Sequence, residues 1–348
     1  MIIYIAVFVY FTGFISNALS QGEYSELELM KSYHDYELLE SFYNYDKNGV
    51  PVNYPFQLEF SFLDVKNYVR FYLYNKNDHN DRIELKINDT SPLRLPQYWK
   101  PGAPVKIFIH GYVGNSTVPQ MEMLKNKLLE RNEGLNVIAL DYGPLAHKLY
   151  PIAAHYSEDV GKIGSQLIDF LIENGAKTTD FHVIGLSLGA HIAGFVGYNV
   201  KSGKIARVTA LDAPTIGFII VGKHGRVDKD DAEFVDCIHT CSGTASFMEH
   251  MCHADFYPNG GKSPQPGCGT GVTAMGCSHV RSQDYFTESA EKGHLFYALT
   301  CQELTKDGPN DCVDEGALMG YPADQKLQGI FYVETGSKYP FSNTHTTV

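Results

Sequence analysis

The pentapeptide Gly185-Leu186-Ser187-Leu188-Gly189 constrains this chain more than any other feature. It follows the apolar run Phe181-His182-Val183-Ile184 and leads into Ala190-His191-Ile192-Ala193, so it joins a strand to a helix. A strand that turns directly into a helix crowds the backbone around the central residue. Glycine on both flanks removes the side chains that would collide there. The turn pushes the Ser187 hydroxyl out over the sheet edge, and the helix behind it aims its N-terminal amides at the same spot. An ordinary glycine-rich turn is the plainer alternative, and the strand before and helix after weigh against it.

The surrounding chain has the rhythm that such a turn needs. Val105-Lys106-Ile107-Phe108-Ile109 reads as a short strand ending at His110-Gly111. Gln120 to Arg131 places Met121, Leu124 and Leu128 at helical spacing, with Gly134 as a stop. Asn136 to Leu140 reads as a buried strand, and Val160, Ile163, Leu167, Ile168 and Leu171 mark an amphipathic helix ending near Gly175. Ala206 to Leu211 and Phe234 to His239 are further strands. Strands alternating with helices require crossover connections, so the expected fold is α/β with a mostly parallel central sheet flanked by helices. Phe56 to Phe62 and Val69 to Tyr74 look like strands of an antiparallel flank. With no linker, repeat or low-complexity stretch, residues 21–348 read as a single domain.

A serine hydroxyl is a weak nucleophile until a base takes its proton, and histidine has the fitting pKa. A carboxylate must then hold the ring and stabilise the imidazolium. On a sheet with this elbow, the partners follow in the order serine, acid, histidine. Asp212 closes the strand after the elbow helix, on the rim where such sheets bind ligands. Asp228, Asp230 and Asp231 sit in a polar run that reads as a solvated loop, and Asp236 lies within a strand. For the base, His279 lies downstream beside a cysteine whose bridge would fix its loop; His239 and His253 also satisfy the order. The tetrahedral intermediate needs two amide donors. One is expected from Leu188, and the other from Tyr112, in the His110-Gly111-Tyr112 turn after an early strand.

The chain's compartment follows from its start and its cysteines. Ile2 to Ile15 is an almost wholly apolar run, shorter than the ~20 residues a membrane-spanning helix needs. It ends in Ala18-Leu19-Ser20, so residues 1–20 read as a secretory signal cut before Gln21, although no Lys or Arg precedes the run. No later segment reads as a transmembrane anchor, and the protein is expected to be extracellular. All seven cysteines lie between Cys237 and Cys312. Outside the cell they should form bridges. Short loops favour Cys241–Cys252, Cys268–Cys277 and Cys301–Cys312, leaving Cys237 as a buried thiol. The competing reading is a metal site from Cys237, His239, Cys241, Cys252 and His253, which oxidation would dismantle. Sequons at Asn88-Asp89-Thr90 and Asn115-Ser116-Thr117 make Asn88 and Asn115 candidate glycosylation sites. With 28 Lys plus Arg against 40 Asp plus Glu, the net charge is −12. With no basic stripe, that excludes nucleic acid and disfavours other polyanions as partners.

Taken together, these stretches resemble the pancreatic lipase family of animal lipases, in its insect branch. The resemblance rests on Ile109-His110-Gly111-Tyr112, Gly185 to His191, Ala210-Leu211-Asp212, and Val235-Asp236 through Ile238-His239-Thr240. It also rests on His253 to Gly261 and on Cys277-Ser278-His279-Val280-Arg281-Ser282, and it covers roughly residues 65 to 335. It implies an α/β-hydrolase fold with Ser187 as nucleophile, Asp212 as acid, His279 as base, and the Tyr112 and Leu188 amides as the oxyanion hole. It implies no cofactor. Some relatives hold calcium near the positions of Arg226, Asp228 and Asp231, but a full ligand set is not evident and no metal is expected. The family's C-terminal lipid-binding sandwich is not expected in this chain. The cysteine pair that brackets a long lid corresponds to Cys268 and Cys277, with only eight residues between. That loop is too short for a covering helix, so the site should stay open. A short lid resembles the wasp-venom phospholipases A1, which implies a glycerolipid substrate, phospholipid first, with release of the sn-1 acyl chain. Galactolipid and triacylglycerol are the alternatives. The same branch contains yolk proteins that keep the fold as lipid-binding stores but lack the nucleophile, and Ser187, Asp212 and His279 are all present here.

Overall fold

The computed structural model describes residues 63–342, apart from residues 132, 220 and 307. The expected leader at 1–20 and the expected strand from Phe56 to Phe62 lie outside these residues. The described chain opens with β1 (Arg70–Tyr74) and β2 (Arg82–Leu85), then β3 (Val105–Ile109), α1 (Pro119–Glu130) and β4 (Asn136–Asp141). Two short helices, α2 (Gly143–Ala146) and α3 (Tyr150–His155), precede the long α4 (Ser157–Glu173). Next come β5 (Phe181–Leu186), α5 (Leu188–Asn199), β6 (Arg207–Leu211), β7 (Phe234–Ile238), β8 (Ala254–Pro258) and α6 (Val272–Ser289). The chain then closes on β9 (Phe296–Thr305), β10 (Gly308–Met319) and β11 (Gly329–Val333).

These strands form one sheet in the order β10-β9-β11-β8-β7-β6-β5-β3-β4-β1-β2. The central run from β4 to β11 is parallel throughout. The pairs β1–β2 and β9–β10 flank it as antiparallel ribbons. Helices cover both faces, which is why the central strands read as nearly unbroken apolar runs. Along β5, Phe181 and Val183 face a core shared with Val160, Leu167, Ile192 and Val196 of α4 and α5. Ile184 and Leu186 face the opposite core, with Leu124 and Leu128 of α1 and Tyr285 and Phe286 of α6. Each fully buried side chain of this size contributes about 1.5–3 kcal/mol. Among the described residues, no helix is long and apolar enough to cross a membrane.

The structure corrects three expectations. Cys252 pairs with Cys237 rather than Cys241. Strands β7 and β8 run side by side with Cys237 opposite Asp255, so the turn just before β8 brings Cys252 onto Cys237, with Cα atoms 5.9 Å apart. Cys241 lies past the end of β7, where its buried thiol donates to the Met275 carbonyl at 3.3 Å. Bridges Cys268–Cys277 and Cys301–Cys312 are present, the latter linking directly opposed residues of β9 and β10. His279 belongs to helix α6, not to a loop. Within the Cys268–Cys277 segment only Gly269, Thr270 and Gly271 precede that helix, whose first five residues take up the remainder.

Candidate active site

The strand-to-helix turn after β5 is as tight as its glycines require. A Cβ on Gly185 would lie 1.9 Å from the Gly189 carbonyl oxygen, and one on Gly189 would lie 2.5 Å from the His110 carbonyl oxygen. Both obstacles are backbone, so neither could yield. Ser187 sits between them with φ +56°, a left-handed conformation rare for a residue with a side chain. Its amide is fixed to the Leu211 carbonyl at 2.8 Å, which ties the elbow to the end of β6. Ser187 is buried, with 8% of its surface exposed.

Asp212 follows β6 and is itself left-handed, with φ +50°. Its buried carboxylate has two differently engaged oxygens. Oδ1 accepts from the Thr240 amide at 2.7 Å, the Cys241 amide at 3.0 Å and the Ser246 hydroxyl at 2.7 Å. Oδ2 accepts from Nδ1 of His279 at 2.5 Å. Burial alone would raise the Asp212 pKa, but the His279 bond, with the Thr240 and Ser246 donors, holds it below the ordinary carboxylate value. The His279 proton therefore lies on Nδ1, and Nε2 is the nitrogen that can act as base.

The loop after β3 presses on Ser187. A Cβ on Gly111 would come 3.1 Å from Ser187 Cβ and 3.7 Å from its Oγ. His110 braces this loop: Nε2 accepts from the Tyr142 amide at 3.1 Å, Nδ1 lies 2.8 Å from the Gly111 carbonyl oxygen, and the ring stacks on Tyr142. Tyr112, the next residue, meets Tyr150 edge-on at 5.0 Å. Leu188 opens α5, so its amide lies at that helix's N-terminus. The Leu188 amide follows Ser187 directly in the chain, and Tyr112 follows the glycine that approaches Ser187.

The rival residues are occupied elsewhere. Asp236 is buried in a two-pronged ion pair with Arg207, both contacts at 2.8 Å. Asp230 pairs with Lys223. Asp228 and Asp231 cap one short turn, and Arg226 pairs with Glu249. Asp231 departs from the solvated-loop reading: it is buried, and burial pushes its pKa up to about 8. His239 binds Asp255 at 2.8 Å, and His253 accepts from the Val235 amide at 3.0 Å. Asn88 is exposed; Asn115 is half-buried, with its side-chain oxygen accepting from the Thr117 amide and hydroxyl. What sequence reasoning missed is the cradle of Asp212, since amides carry no residue signature and Ser246 lies far along the chain.

Comparisons with known proteins place the chain among the lipases. The chain is 35% identical over 229 residues to lipase member H of Rattus norvegicus, covering 62% of this chain and 50% of that one. It is 31% identical over 306 residues to inactive pancreatic lipase-related protein 1 of Homo sapiens, covering 78% and 64%. It is 29% identical over 306 residues to pancreatic triacylglycerol lipase of Mus musculus, again covering 78% and 64%. The chain thus spans half to two thirds of the length of these relatives. Among solved structures, the Pyrococcus furiosus esterase Pf2001 aligns with TM-score 0.29 at 16% identity, over 49% of this chain and 69% of that one. The pattern of the lipase family matches residues 37–341, and the chain belongs to that family.

Proposed function

We propose that this chain is a secreted serine hydrolase of lipid carboxylic esters, with phospholipid as the favoured substrate and the sn-1 acyl bond as the point of cleavage. The observation that carries the reading is the buried Asp212–His279 pair set beside a strained serine elbow. In the proposed cycle the Ser187 oxygen attacks the ester carbonyl while His279 Nε2 takes its proton. The imidazolium is stabilised by Asp212. The developing oxyanion is received by the Tyr112 and Leu188 amides. His279 then protonates the departing alcohol, leaving an acyl-enzyme, and water repeats the steps to release the fatty acid.

Preference for phospholipid is supported by the short Cys268–Cys277 loop, which leaves little chain to fold over a polar head group. Approach to a lipid surface is supported by Ile219 and Val221, 58% and 37% exposed. Their loop is joined to the Tyr112–Tyr150 pair through the Tyr150 hydroxyl, which donates to the Ile216 carbonyl. A non-catalytic lipid-binding protein is the rival, because one relative is named as inactive. Purified protein given a p-nitrophenyl ester beside Ser187→Ala decides between them: equal turnover by both overturns the hydrolase reading. Phosphatidylcholine, galactolipid and triolein assayed in parallel test the substrate class, and faster release from triolein overturns the phospholipid preference.

A further inference from the structure

The loop that follows β7 does more than connect strands. Residues 240–247 fold back so that Ser246 bridges both Pro214 and Ser242. The Ser246 amide donates to the Cys241 carbonyl at 3.3 Å, and the next amide, of Phe247, donates to the Ala213 carbonyl. Ser246 is fully buried, and its hydroxyl donates to Asp212 Oδ1 at 2.7 Å. The other two donors on that oxygen are backbone amides, which no side-chain substitution removes. Among the described residues, Ser246 is the one side chain that donates to Oδ1.

We propose that Ser246 is a positioning residue of the hydrolytic site, acting through Asp212 to set how tightly the carboxylate holds the protonated His279. This rests on the hydrolase reading above. Three donors on Oδ1 draw negative charge away from Oδ2, the oxygen that faces His279. Removing one returns charge to Oδ2, so the carboxylate binds the imidazolium more tightly and releases a proton from the pair less readily. Loss of the Ser246 bond also frees the carboxylate to rotate, so the ring is less often aligned for Ser187. The titratable groups around the pair do not obscure this. His279 on α6 is the partner of Asp212 Oδ2, and burial with the Asp212 charge pushes the Cys241 thiol well above its ordinary pKa. His239 is turned to Asp255, and His191 on α5 lies between the Pro214 carbonyl and the Val227 amide.

The test is Ser246→Ala, which removes only the oxygen, with Ser246→Cys as a second variant of similar volume and weaker donor. In Ser246→Ala, kcat for a p-nitrophenyl ester should fall about tenfold with KM unchanged, and the acid limb of kcat/KM should move up by about half a pH unit. The low-field proton resonance of the His279–Asp212 hydrogen bond should move further downfield, with Ser246→Cys intermediate in all three. Melting temperature serves as the check on folding. A variant that melts lower but keeps the parent kcat, pH profile and resonance makes Ser246 a packing residue and overturns the proposal. The resonance is read without turnover. A wild-type protein no faster than Ser187→Ala would thus sink the hydrolase reading while the resonance still reported on Ser246.

Discussion

Replacing Asp212 with asparagine isolates the carboxylate's role, because the structure dictates how the amide must sit. The Oδ1 position faces two backbone N–H groups and a hydroxyl, at 2.7, 3.0 and 2.7 Å. An amide turned with its NH2 towards them would leave two buried amides unsatisfied, at about 1–3 kcal/mol each. The oxygen therefore stays at Oδ1 and the NH2 points at His279 Nδ1. Two donors cannot share one hydrogen bond, so Nδ1 becomes the acceptor and the ring proton moves to Nε2. The nitrogen that should take the Ser187 proton is then already protonated. A wrong tautomer of this kind costs about 10⁴ in kcat, which is roughly 5.5 kcal/mol at 1.36 kcal/mol per tenfold. The assay is turnover of p-nitrophenyl butyrate at saturation, with thermal melting to confirm the fold. KM should stay within about twofold, since binding is not addressed. A folded Asp212→Asn protein that loses less than about 100-fold would refute the tautomer argument and the assignment of Asp212 as the acid.

Other perturbations test separate parts of the molecule. Gly185→Ala should abolish soluble expression, because its Cβ would lie 1.9 Å from a backbone oxygen; normal yield and melting would contradict the close approach. Arg207→Ala leaves Asp236 charged and buried, and should lower stability by about 3–5 kcal/mol in urea while the folded fraction keeps its turnover. Asp231 has its folded pKa raised to about 8. The cost of ionising it is absent below its unfolded pKa of ~3.9, grows as pH rises, and is complete above the folded value. Asp231→Asn should therefore raise the melting temperature at pH 9 and leave it unchanged at pH 4, and a gain equal at both would contradict that linkage. Peptide mapping without reduction should recover Cys237 joined to Cys252, with Cys241 the thiol alkylated after unfolding; a Cys241–Cys252 peptide would reverse the assignment.

The parallel centre of the sheet is legible because strands covered on both faces are mostly apolar: 181–186 and 234–238 carry one polar residue each, His182 and Asp236, and 207–211 carries Arg207 and Thr209. The elbow was legible because its crowding admits little besides glycine at 185 and 189. The C-terminal ribbon was not, since β9 and β10 are largely exposed along Gln302 to Gly316 and carry no alternation to read. His279 was identified by family resemblance rather than by periodicity. Its helix begins in a glycine-rich stretch and ends in polar residues, so nothing marked it as helical. The order of cysteines in sequence favoured the shortest loop, whereas strand register decided that Cys237 and not Cys241 stands beside Cys252. The polar contacts around Asp212 depend on a fold-back at 240–247, which no local pattern announces.

Ser187 occupies a left-handed backbone position that a residue with a side chain tolerates at a cost of order 1–3 kcal/mol. Glycine there would relax the turn. Without selection for turnover, Ser187→Gly is thus a downhill change, gaining firmness as it discards reactivity. Any descendant kept only to sequester lipid would lose its nucleophile readily and regain it only against the grain.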